Sequence, residues 1–160
     1  MMKAKIIPIL ILLVAGLVSC DKETKVEDST IFSLHQKSAS IGFVESDLKI
    51  TKDYTFYSFS LKQATLSEDV EYSDKIETSN EVWNTLVKSF DLATFTKIKS
   101  GESNIPVDGG DAVFSVTIGG KEYSFLNGYD DEHYKQMQEF FDAMYDQLKY
   151  FENKQNMVEE

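Results

Sequence analysis

Residues 114–125 read FSVTIGGKEYSF, and this stretch decides the fold class. Phe114, Val116 and Ile118 alternate with polar residues, as the buried face of a β-strand does, and the run that follows the glycines alternates in the same way. Gly119-Gly120 separates the two runs and permits the positive backbone angles of a two-residue hairpin turn. The stretch therefore predicts an antiparallel β-hairpin.

Upstream of this hairpin, alternation with period two predicts three more strands. Residues 48–51 and 57–61 each alternate between apolar and polar side chains. Lys52-Asp53 lies between them and is expected to form a tight turn. A third strand is expected somewhere within residues 64–77. With the hairpin, the sequence predicts a sheet of about five strands.

Two segments change to the helical period. The first opens with Thr78 and Glu81, which have the spacing of a capping box, and continues with an apolar face. The second spans residues 131–152, and its apolar side chains are spaced alternately by three and four residues: Tyr134, Met137, Phe141, Met144, Leu148 and Phe151. We expect this stripe to pack on the sheet of the same domain, and a partner helix is the alternative. The order strands, helix, hairpin, helix predicts an α+β fold with a mainly antiparallel sheet and two helices.

The N-terminus has the features of an export signal. A short basic start precedes an uncharged apolar run over residues 6–18. This run is shorter than the roughly 20 residues of a spanning helix and has the length of a signal-peptide core. It ends in Leu17-Val18-Ser19-Cys20, which resembles the lipobox of bacterial lipoproteins. The resemblance implies that residues 1–19 are removed and that Cys20, the only cysteine, receives the acyl chains. An ordinary signal peptide or an uncleaved anchor is the alternative.

Charge limits the partners of the mature chain. All 16 basic residues are lysines, against 27 acidic residues, and removal of residues 1–19 changes the net charge from −11 to −13. Such a surface repels nucleic acid and anionic lipid head groups. We therefore expect no nucleic-acid partner, and we expect acyl chains on Cys20 to hold the protein on a membrane.

The remaining chain divides into a tether, a domain and a tail. Residues 20–30, rich in charge after the cysteine, predict a solvated tether. Residues 31–152 are expected to form a single domain, and the polar residues 153–160 are expected to fray. Asp21 fits retention at the inner membrane, whereas Lys22-Glu23 partly matches the surface-display signal of Bacteroidota-type lipoproteins. The arginine-free, aromatic-rich composition favours the second group, so we expect the outer membrane.

The layout of residues 81–148 supports the same grouping. A helix, a polar loop containing DGGD at 108–111, the hairpin and a final helix follow in order. This layout resembles small envelope lipoproteins of Bacteroidota with no assigned function. More distantly, it resembles emfourin-type inhibitors of thermolysin-like metalloproteases. The resemblance implies fold and export, and it assigns no inhibitory residue.

Few residues suggest chemistry. His35 and His133 lie far apart in the sequence without metal-ligand spacing, and each is interpreted as a surface histidine. Four aspartates near the open end of the hairpin are weak candidates for a Ca²⁺ site, and turn and helix-cap roles are the preferred interpretation: Asp108, Asp111, Asp130 and Asp131. No catalytic motif is present in the sequence, so we predict no enzyme, no metal and no cofactor.

Binding is the function class that remains. Tyr54 and Phe56 are expected on the outward face of their strand, where exposed aromatic rings suit a glycan or a protein strand. The preferred interpretation is that a second layer covers them. The sequence predicts a non-enzymatic envelope lipoprotein with a binding or structural role and a protein or glycan partner. Inhibition of an exported metalloprotease is the alternative.

Overall fold

A computed structural model of the chain describes residues 26–39, 42–62, 69–107 and 109–158. Its strands are β1 (Ile31–Ser38), β2 (Phe43–Ile50), β3 (Tyr54–Lys62), β4 (Val70–Glu77), β5 (Gly110–Ile118) and β6 (Lys121–Leu126). Its helices are α1 (Asn80–Ser89), α2 (Leu92–Phe95), α3 (Glu132–Gln136) and α4 (Gln138–Val158), with a 3₁₀ turn at Ile105–Val107. The predicted α+β class with a mainly antiparallel sheet is confirmed.

The described strands form one antiparallel sheet in the order β4-β3-β2-β1-β5-β6. It has six strands, and the one that the sequence analysis missed is β1, which lies near the centre. Only Phe32 and Leu34 give β1 an apolar alternation, because its second half carries the polar residues Gln36 and Ser38 on the same face. The alternation is therefore too short to identify this strand from sequence.

The predicted hairpin is present with the predicted turn. β5 pairs with β6 so that Ile118 faces Lys121, and the two glycines between them have φ angles of 57° and 76°. Both angles lie in the left-handed region, which glycine enters without steric cost. Phe114 and Phe125 face each other across this pair, and their rings stack with centroids 5.4 Å apart.

The helices cover one face of the sheet, and an aromatic core fills the space between them. Phe141 of α4 is fully buried and stacks on Tyr134 of α3 with ring centroids 4.0 Å apart. Phe32 of β1 contacts both Phe90 and Phe140, each at 5.2 Å. The apolar stripe of the last helical segment therefore packs on the domain's own sheet, as expected.

The start of α1 differs from the predicted capping box. Ser79 is the N-cap, and its hydroxyl accepts a hydrogen bond from the backbone N–H of Val82 at 3.2 Å. Thr78 instead points into the core, where its hydroxyl lies 2.8 Å from that of Thr55 on β3. Thr78 was a plausible cap from its spacing to Glu81, but tertiary packing gives its hydroxyl another partner.

The last helix differs from its prediction at both ends. Met137 interrupts it, so that α3 and α4 are separate helices within the segment predicted as one. The tail predicted to fray from residue 153 is helical as far as Val158. Lys154 holds this last part of α4 against β4, because its Nζ atom lies 2.5 Å from Oδ2 of Asp74. Gln155 is buried on the same helix.

The predicted tether is also partly attached to the domain. Val26 packs against the core, and Thr30 is fully buried after a turn in which its N–H donates to the carbonyl of Glu27. Lys52 in the β2–β3 turn lies 2.6 Å from Asp28. Residues 26–30, which the sequence analysis assigned to the tether, therefore belong to the domain. Cys20 and the predicted signal peptide lie outside the described residues.

Candidate functional site

His35 lies on β1, directly opposite Asp47 of β2, on the face of the sheet opposite the described helices. Its Nδ1 atom is 3.0 Å from Oδ1 of Asp47, and both side chains are partly exposed. The residue thus belongs to an interior strand. The pair is a cross-strand contact at the surface, which agrees with the interpretation of His35 as a surface histidine.

His133 and Asp131 form the start of α3. Asp131 is the N-cap, and its Oδ1 atom accepts a hydrogen bond from the N–H of His133 at 2.8 Å. This backbone bond, together with the contact from the His133 ring at 3.0 Å, lowers the pKa of Asp131. Asp130 is exposed beside it. Asp131 therefore acts as a helix cap.

Asp111 holds the loop that precedes β5. Its carboxylate accepts hydrogen bonds from the Ser103 hydroxyl at 2.6 Å, from the N–H of Asn104 at 2.8 Å and from Nδ2 of Asn127 at 2.8 Å. These bonds lower the pKa of Asp111, and the bond from Ser103 has the largest effect. Asp108 lies outside the described residues, which contain no group of three or more His, Cys, Asp or Glu side chains placed to hold a metal ion.

In the part of the chain that the structure describes, no second layer covers the aromatic residues predicted on the outward face of β3. Tyr54 is exposed and Phe56 is half-buried on the helix-free face. Lys75 of the neighbouring strand places its Nζ atom 3.9 Å from the centre of the Tyr54 ring. The described helices all lie on the opposite face, where Tyr57 is buried against Phe151 of α4. The preferred interpretation of a covering layer is therefore wrong.

A cleft of about 510 Å³ opens between the sheet and the C-terminal end of α4. We call it the α4 cleft. Its position follows from a change in side-chain size along the helix-facing side of the sheet. One cross-strand row contains Leu48, Leu34 and Phe114, and the next contains Ser46, Gln36 and Ala112. The smaller and more polar row does not fill the space under the helix.

The lining of the α4 cleft combines amides, hydroxyls, one free carboxylate and aromatic rings. It consists of Gln36, Lys37, Ser38, Val44, Ser46, Tyr57, Phe59, Gly110, Asp111, Ala112, Tyr129, Glu152, Gln155 and Asn156. Two polar contacts order its walls. The hydroxyls of Tyr129 and Tyr145 lie 2.9 Å apart, and the Ser46 hydroxyl donates to Oε1 of Gln36 at 3.4 Å. Burial, followed by the hydrogen bond with Tyr129, raises the pKa of Tyr145.

Most residues of the α4 cleft were not predicted as site residues from the sequence. Of its residues, only Asp111 was among the predicted site candidates, and Glu152 was the expected end of the helix. One signal was available, because Leu148, Phe151 and Gln155 continue the spacing of three and four that defines the buried stripe of α4. A glutamine at a core-facing helical position indicates that this position borders a polar space.

The chain matches no protein-family model, and comparison with curated proteins gives no significant match. Among the described helices, none combines the length and apolar character that a membrane crossing requires.

Proposed function

We propose that the chain is an exported lipoprotein, anchored by acyl chains on Cys20, whose domain binds a ligand in the α4 cleft without catalysing a reaction. The position of the cleft carries this proposal. The described chain enters β1 at Ile31 and leaves it at Ser38, which lines the cleft. The seven steps between them, at about 3.3 Å each, place these ends roughly 23 Å apart. A lipid anchor on the N-terminal side would therefore attach at the end of β1 that is distant from the cleft.

The side chains of the cleft support binding more than catalysis. Asp111 accepts three hydrogen bonds from its own loop, so its carboxylate is committed to holding that loop. Glu152 is the other carboxylate in the lining, whereas general acid–base hydrolysis of a glycosidic bond uses two free ones. Neither histidine lines the cleft. Hydrolysis of envelope glycans or peptides by the purified chain would contradict this part of the proposal.

The anchor is tested by metabolic labelling with a fatty acid. We expect the native chain to carry the label and to fractionate with the outer membrane. Cys20→Ser should lose the label, because the thiol that accepts the diacylglycerol is gone. Label that persists on the Cys20→Ser variant would rule out the anchor.

The binding role is tested by capture from envelope extract. The hydrophobic core cluster lies between Phe32 and Phe151, so a chain that begins at residue 21 keeps every core residue. Asn156→Trp places a large side chain in the cleft from an exposed position of α4. Asn153→Trp is the matched control, since Asn153 is exposed on the same helix outside the cleft lining. We expect Asn156→Trp alone to lose the captured material. Equal capture by both variants would refute a role for the cleft.

Inhibition of an exported metalloprotease is the second candidate. Its support is the order of elements, since α1, the β5–β6 hairpin and α4 follow one another as in the layout of the emfourin-type inhibitors. The test is the rate of peptide hydrolysis by a thermolysin-type protease at micromolar excess of the chain. An unchanged rate counts against this candidate and leaves the cleft proposal intact.

A further inference from the structure

The α4 cleft is a site lined by several side chains that can donate or accept hydrogen bonds. Gln155 is only 7% exposed and lines the cleft. Asn156 and Glu152 reach the same space from the same helix. The site therefore offers donors and acceptors to a ligand.

The charge of the cleft excludes anionic ligands. Lys37 is the one cationic side chain in the lining, and its Nζ atom is already 3.1 Å from Oε1 of Glu45 and 4.5 Å from the centre of the Phe43 ring. The sequence contains no arginine, and its net charge is −11. A phosphate or carboxylate ligand would thus meet Glu152 without a free cation to balance it.

The position of the cleft also excludes an added peptide strand. β1 and β2 form its floor, and both are interior strands that already pair on each side: β1 with β2 and β5, and β2 with β1 and β3. Their backbone groups are therefore used within the sheet. Binding by strand addition requires a free sheet edge, which this floor does not provide.

Tyr129 supplies an ordered aromatic surface at the cleft. Tyr129 is 41% exposed, and two contacts hold its side chain in place. Its hydroxyl contacts that of Tyr145 at 2.9 Å, and its ring meets Tyr134 edge to face with centroids 5.3 Å apart. An aromatic ring held in place binds an apolar ligand face at little conformational cost.

We propose, on the basis of the proposed function, that the α4 cleft binds an uncharged oligosaccharide. The CH-bearing face of a sugar ring stacks on Tyr129, and its hydroxyls bond to the amides of Gln36, Gln155 and Asn156 and to the carboxylate of Glu152. Each amide can donate and accept, as each sugar hydroxyl can. The cleft volume of about 510 Å³ is within the range of ligand pockets.

The test measures binding of defined oligosaccharides to the chain beginning at residue 21, by calorimetry and by amide chemical shifts. The neutral probes are hexamers of glucose (α-1,4 and β-1,4), mannose, xylose and N-acetylglucosamine, and the anionic probe is hexagalacturonate. We expect at least one neutral hexamer to bind and to shift cleft residues, and we expect hexagalacturonate not to bind.

Variants assign the contact to named residues. Tyr129→Ala and Gln155→Ala should each weaken binding by about tenfold or more. Tyr150→Ala is the matched control, because Tyr150 is 48% exposed on α4 and does not line the cleft. Fluorescence of Trp83 checks that each variant is folded.

Two results would overturn the inference: no neutral hexamer binds at millimolar concentration, or binding is unchanged in both Tyr129→Ala and Gln155→Ala. Capture from envelope extract separates this failure from that of the proposed function. If Asn156→Trp still abolishes capture while no oligosaccharide binds, the ligand class is wrong and the binding role stands.

Discussion

The buried contact between Thr55 and Thr78 allows a direct test of how the domain is held together. The two hydroxyl oxygens lie 2.8 Å apart between β3 and the start of α1, and both residues are buried. We propose a double-mutant cycle with Thr55→Val, Thr78→Val and the double variant. Valine has the shape of threonine, so each change removes a hydroxyl and leaves the packing volume in place.

The structure predicts a strongly non-additive result. Each single change leaves the other hydroxyl buried without a partner, which costs about 1 to 3 kcal/mol. The double change removes both polar groups and should cost less than about 1 kcal/mol. If each single variant loses about 1.5 kcal/mol, the coupling energy is therefore roughly 2 kcal/mol, within the range for residues in contact.

Urea denaturation followed by tryptophan fluorescence measures these values. Trp83 is the only tryptophan and is buried against Phe32, with ring centroids 5.7 Å apart, so its emission reports the loss of the core. With an m-value of about 2 kcal/mol/M, each single variant should lower the midpoint by about 0.8 M. Thr117→Val, on the helix-free face of β5, is the control and should change stability by less than about 0.5 kcal/mol. A double variant that loses the sum of the two single losses would refute the reasoning.

Three further substitutions test the aromatic core, the ion pair at the end of α4, and the close packing of Gly128 against Ile98. Phe141→Ala should cost about 3 to 5 kcal/mol in urea denaturation, because it empties a fully buried aromatic position, and a loss below 1 kcal/mol would contradict the packing. The hydrogen bond from Lys154 lowers the pKa of Asp74 below its usual value of 3.8, so this pair stabilises the fold above that pH and loses its effect as the pH falls through the lowered pKa. Asp74→Asn should therefore flatten the acid limb of a thermal-melting profile, and an unchanged profile would count against the pair. Gly128→Ala should cost about 1 to 3 kcal/mol, since the added Cβ would lie 2.7 Å from Cγ2 of buried Ile98, and native-like melting would show that this contact relaxes easily.

The most local parts of the fold could be predicted from the sequence. The hairpin at Gly119-Gly120 combines two alternating runs with a turn that only certain residues permit, so both signals agree within twelve residues. The buried stripe of the last helical segment is equally local, because its period alone identifies the face that packs on the sheet. Both predictions are confirmed.

The features that were not predicted correctly depend on contacts with residues distant in the sequence. β1 is central because β2 and β5 pair with it, but half of its helix-facing side is polar and gives no alternation. Thr78 has the spacing of a helix cap, but its hydroxyl contacts the hydroxyl of Thr55, which is 23 residues away in the sequence. The end of α4 reads as a polar tail, and an aspartate 80 residues away holds it in place. No short stretch of the sequence contains both partners of these contacts.

The sequence by itself determined the acidic composition without arginine, the α+β class and the hairpin, because composition and short-range period encode them. The export signal stays a prediction. The tertiary structure alone decided where the α4 cleft lies. The α4 cleft exists because Ser46, Gln36 and Ala112 come from three different strands and meet in one row under a helix. Small side chains at scattered positions carry no signal along the chain. They leave a space only when strand pairing aligns them and a helix lies above.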